Sequence, residues 1–97
     1  MGTPIARSTP RLTLQAQVQL RGERQNGHAV TIRDLSINGC CLDVVYRVKL
    51  DERLWVKLPG IEPIEAFVCW ENEFIAGVEF MKPLHPAVLT MLAERMK

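Results

Sequence analysis

No stretch of this chain approaches the roughly 20 consecutive apolar residues that cross a bilayer, and its N-terminus lacks an apolar signal core. A cytoplasmic location without membrane insertion is the expectation. Histidine is scarce: His28 and His85 are the only two, far apart and at the edges of expected elements, where they read as surface residues. No Cys-x-x-Cys occurs, so nothing has the spacing of a zinc site. The three cysteines are odd in number, and the adjacent Cys40 and Cys41 point to opposite faces of any strand. They imply no disulfide framework and read as small buried hydrophobes. Asp34 and Glu71 have no accompanying nucleophile, metal ligand or histidine, so no enzyme and no cofactor are expected. Aromatics are also few, with two Trp, one Tyr and three Phe. A groove for single-stranded nucleic acid needs exposed aromatics interleaved with basic residues. With a net charge of only +1, DNA or RNA is not an expected partner.

What is present is ordinary globular composition: 97 residues, 47% hydrophobic and 24% charged, which suits one domain with one modest core. The charge is unevenly spread. Residues 1–50 carry seven Lys/Arg against three Asp/Glu, whereas residues 51–97 carry five against eight. An anionic partner therefore suits the N-terminal half.

Residues 1–11, with two prolines, a glycine and two arginines, read as a mobile arm. From Leu12 to Leu20 apolar and polar residues alternate, the signature of a strand with one dry face. Asn26-Gly27 signals a hairpin turn. A second strand starts near His28, with Val30 and Ile32 inward, and Asp34 to Gly39 interrupts it with turn formers. A third runs from about Cys40 to Val45, and a fourth carries Leu54, Val56 and Leu58 before Pro59-Gly60 closes it. The fifth places Ile64, Ala66, Val68 and Trp70 on one face, so Trp70 is expected in the core. Asn72-Glu73 turns into a sixth strand ending at Phe80. From Pro86 the spacing of Val88, Leu89, Leu92 and Met96 is helical, with Pro86 suited to the first turn. The expected fold is mostly β: a six-stranded antiparallel barrel of split-barrel type over residues 12–97, with a docked C-terminal α-helix.

Two local patterns stand out. Arg7-Ser8-Thr9-Pro10-Arg11 is an RxxxR at the end of the arm, and Asp34-Leu35-Ser36-Ile37-Asn38-Gly39 is a DxSxxG between the second and third strands. Together, in this order and ahead of this strand pattern, they resemble the signature of the PilZ family of bacterial cyclic diguanylate receptors. Gly77-Val78-Glu79-Phe80 also looks like that family's last strand. The resemblance implies a non-catalytic receptor in which Arg7, Arg11, Asp34, Ser36 and Gly39 hold the ligand. Ala6 and Asn38 are flanking candidates, and the small Ala6 bears on whether one ligand or a stacked pair binds.

The chemistry suits that implication. Cyclic diguanylate offers two phosphates and two guanines, and a guanidinium can hydrogen-bond either in parallel pairs and stack on a base. Asp34, as an acceptor, suits guanine N–H groups. Ser36 can bond base or phosphate, and Gly39 allows close backbone approach and positive φ. The implied action is ordering of the arm on the ligand, read by an unidentified protein partner in motility, adhesion or exopolysaccharide control. With no second domain in the sequence, action in trans or as a homo-oligomer is expected. The alternative is a barrel of the same type serving as a nucleotide-independent interaction module.

Overall fold

The computed structural model describes residues 11–23 and 26–96. Six strands and one helix follow in order: β1 (Leu12–Gly22), β2 (His28–Leu35), β3 (Gly39–Asp43), β4 (Arg53–Lys57), β5 (Ile64–Asn72), β6 (Ile75–Phe80) and α1 (Pro86–Arg95). Every neighbouring pair of strands is antiparallel, and they close into a barrel in the order β1-β2-β3-β6-β5-β4. Closure is short: only Gln19–Gly22 of β1 pairs with Leu54–Lys57 of β4.

Alternation explains the core. Leu20, Ile32, Leu42, Leu54, Val56 and Val68 are fully buried inside the barrel, while their strand neighbours face outward. Burying a Leu, Ile or Val side chain stabilises by about 1.5–3 kcal/mol. The helix adds Leu92 and Met96 to the same cluster, against which Leu14 and Ala16 of β1 pack half-buried. Docking of this stripe supports a helix too short to persist alone.

Period two fails at two places that matter. Between Ile32 and Asp34 the pairing with β3 shifts register: Ile32 faces Leu42, but Asp34 already faces Cys41. Strict alternation after Val30 and Ile32 would point Asp34 inward, whereas the shift leaves it partly exposed. The second shift, between Val68 and Trp70, pairs Val68 with Val78 and Trp70 with Gly77. Trp70 is therefore not a core residue, as expected from its phase with Val68; it is 47% exposed on the outer surface. A bulge adds one residue and reverses the faces beyond it. Glu71 moves the other way, to a side chain 11% exposed and ion-paired with Arg47 at 3.0 Å.

The hairpin between β5 and β6 turns on Glu73 and Phe74, both at positive φ (49° and 67°), where Asn-Gly is the usual choice. The two histidines are not idle surface residues. His28 is half-buried, its ring 5.3 Å from that of Tyr46. His85 caps α1, its Nδ1 accepting from the backbone N–H of Ala87 at 3.0 Å. Removing that acceptor in His85→Ala is expected to cost about 0.5–2 kcal/mol in urea denaturation, with an unchanged slope.

Candidate functional site

The register shift in β2 sets Asp34 beside Arg11, the first described residue of the chain. Arg11 Nη1 donates to Asp34 Oδ1 at 2.6 Å, and both side chains stay partly open to solvent. An exposed pair of this kind contributes only about 0–1 kcal/mol to stability. Its placement is what matters here: a guanidinium and a carboxylate at one end of a trough.

The turn below them is built by its own polar groups. Ser36 N–H donates to the carbonyl of Gly39 at 2.9 Å. The Ser36 hydroxyl donates to the same carbonyl at 3.4 Å and accepts from Asn38 N–H at 3.3 Å. Ser36 is 2% exposed, the one buried polar residue among those described. Its hydroxyl, expected to reach base or phosphate, is already engaged in closing the turn, the usual work of serine in such loops. Two further bonds tie the turn to the end of β6 and the segment that follows it. Phe80 N–H donates to the Asn38 carbonyl at 2.8 Å, and Leu84 N–H donates to the Ile37 carbonyl at 2.7 Å.

Gly39 does not adopt the positive φ expected of it; Gly60 is the only glycine to do so among the described residues. It opens β3 opposite Glu79, where a Cβ would overlap the carbonyl oxygen of Val78 and lie 3.1 Å from Glu79 Cα. Its missing side chain serves the contact between β3 and β6.

The trough crosses the outer surface of β2, β3, β6 and β5, with a volume of about 380 Å³. Small residues, Gly39, Cys41 and Gly77, line it between the two ends. Arg11 and Asp34 stand at one end, and Cys69, Trp70 and Glu79 at the other. The indole lies across Gly77, where any Cβ would collide with the ring. Cys69 Sγ donates to Glu79 Oε1 at 3.6 Å. Burial pushes the Cys69 thiol up from its ordinary value, and its hydrogen bond to Glu79 adds to that. Burial, then the charge of Asp34, pushes Cys41 up as well.

The structure thus brings Arg11, Asp34, Ser36, Asn38 and Gly39 to one cavity. Arg7 and Ala6 lie outside the described residues. Sequence reasoning missed Trp70, Cys69 and Glu79. The only hint was Gly77, a glycine inside a strand, which often marks a bulge or close approach. A second groove of about 510 Å³ runs between the β4–β5 loop, residues 81–85 and α1, with Ile61, Pro63, Leu84 and Val88 among its lining. It is larger and carries the carboxylates of Glu62 and Glu65, but its lining has neither the guanidinium nor the indole that converge with a carboxylate in the trough.

A family model described as the PilZ domain matches residues 6–95. The chain belongs to the PilZ family. This PilZ domain superposes on the PilZ domain of CeSA from a cellulose-synthesizing bacterium, covering 89% of this chain and 92% of that one with a TM-score of 0.61. The two are 12% identical, so the likeness is one of fold. No curated protein matches the chain in sequence. PilZ domains are generally cyclic diguanylate receptors, binding and adaptor modules rather than enzymes. Among the described residues, no helix is long and apolar enough to cross a membrane.

Proposed function

We propose that this PilZ domain binds cyclic diguanylate in the trough and relays the bound state to a protein partner. The observation that carries the reading is the convergence of Arg11 and Asp34 at one end of a 380 Å³ cavity with an exposed indole at the other. That volume lies within the range of small-molecule sites. Arg11 engages a phosphate or the O6/N7 edge of a guanine, and Asp34, released from Arg11, accepts from guanine N–H groups. Trp70 offers a flat apolar face to a base. Ser36 and Gly39 act through the backbone of the turn that forms the floor. On this reading segment 1–11 changes conformation to bring Arg7 and Arg11 over the ligand, and Ala6 bears on ligand stoichiometry.

On this reading, relay runs through the turn. The hydrogen bond from Leu84 to Ile37 joins the turn to the segment that walls the second groove. A ligand that shifts the turn shifts that wall, and a partner seated there would sense it.

Calorimetric titration of cyclic diguanylate tests the reading. Saturable binding is expected, weakened at least about ten-fold in Arg11→Ala through loss of one charge-assisted contact. If neither heat nor competition with a labelled ligand were seen, the receptor reading would fail. The second groove would then be the place to look for a nucleotide-independent interaction.

A further inference from the structure

We propose that Glu79 reads a base: its carboxylate accepts from the adjacent N1–H and N2–H donors of a guanine and makes the far end of the trough selective for guanine over adenine. The inference rests on the cyclic diguanylate reading of the trough and assigns a residue outside both sequence motifs. Glu79 lies on the outer face of β6, paired with Gly39 on one side and Phe67 on the other. It therefore sits directly across from the end of the ligand-site turn. Two residues back on the same strand, Gly77 carries the Trp70 indole. A stacking face and an acceptor for the edge of the stacked ring are thus neighbours on one pleated surface.

Charge decides which part of the ligand Glu79 can serve. Asp34 is neutralised by Arg11, but among the described residues no Lys or Arg nitrogen lies within ion-pair distance of the Glu79 carboxylate. Its partner is the Cys69 thiol, a weak donor that a better one displaces easily. Against a phosphate, an unpaired carboxylate is repulsive. Against guanine it is complementary, because two carboxylate oxygens match two parallel N–H donors. Adenine presents an acceptor, N1, where guanine presents N1–H, so the same carboxylate rejects it. The trough is thereby polarised: phosphate is favoured near Arg11, and a guanine edge is favoured near Glu79.

Glu79→Gln separates base reading from simple electrostatics, since the two have opposite signs. The residue is exposed, and glutamine keeps an acceptor for Cys69, so folding is preserved. Wild type and Glu79→Gln would each be titrated with cyclic diguanylate and cyclic diadenylate. The proposal expects the wild type to prefer the guanine ligand. It expects the variant to bind that ligand about ten-fold more weakly, with affinity for the adenine ligand maintained or raised. Unchanged or tighter binding of cyclic diguanylate in the variant would overturn it, the latter being relief of repulsion. An equal loss for both ligands would also overturn it, as a loss of shape rather than of reading. A wild type that binds no cyclic diguanylate removes the underlying receptor reading instead, and so is distinguishable from failure at Glu79.

Discussion

Gly39→Ala is expected to lower the melting temperature by roughly 12–24 °C, corresponding to about 3 kcal/mol in a domain of this size. The added methyl would overlap the carbonyl oxygen of Val78 and crowd Glu79 Cα. Both obstacles are backbone atoms of β6, so no side-chain rotation can relieve them. Either the first pair of the β3–β6 ladder, Gly39 with Glu79, is lost, or β3 shifts and strains the turn closed by Ser36. Against a total stability of about 5–15 kcal/mol this is a large fraction. Differential scanning calorimetry without ligand reads it directly. If Gly39 served only to admit ligand, the melting temperature would hold and affinity alone would fall; that result would sink the packing argument.

Asp34→Ala is expected to show the reverse profile. The Arg11–Asp34 pair is partly exposed, so its loss changes stability by no more than about 1 kcal/mol. Cyclic diguanylate affinity, in contrast, is expected to fall on the order of 100-fold. Two hydrogen bonds from guanine to a charged acceptor are worth about 1.5–3 kcal/mol each, and release of Arg11 from its partner offsets part of the loss. Calorimetric titration beside a thermal melt separates the two quantities. A variant with a lowered melting temperature and undiminished affinity would remove Asp34 from the ligand site. Gly39 and Asp34 belong to one short motif, yet one is expected to report mainly on folding and the other mainly on recognition.

The difference between them could not be read from the motif. DxSxxG marks a turn rich in polar groups, and chemistry alone allows each side chain to face a ligand. In the folded chain Ser36 spends its hydroxyl on Gly39 and Asn38, and Gly39 is small on account of Val78. Asp34 keeps a surface position, beside Arg11. Ser36 is settled by neighbours within the motif, whereas Asp34 and Gly39 are settled by groups more than 20 residues away, Arg11 and Val78.

Trp70 makes the same point from the opposite direction. Its phase with Ile64, Ala66 and Val68 is unbroken in the sequence, and no glycine or proline within β5 itself warns of a bulge at Cys69. The shift is a property of the pair β5–β6, where the bare backbone of Gly77 gives the indole room to lie outside the barrel. Cys69 and Glu79 came to the site unannounced because neither belongs to a motif.

The sequence by itself determined the elements. Alternating burial in β1 and β4 and the helical spacing from Val88 to Met96 are local signals, since one apolar face per element must be buried whatever the partner. The resemblance of its two motifs to the PilZ family also stood on the chain alone. Tertiary structure decided which way the functional side chains point. A strand's faces follow from its register, register is set by the neighbouring strand, and one extra residue in a ladder exchanges inside for outside. Asp34 and Trp70 both reach the trough through such an exchange.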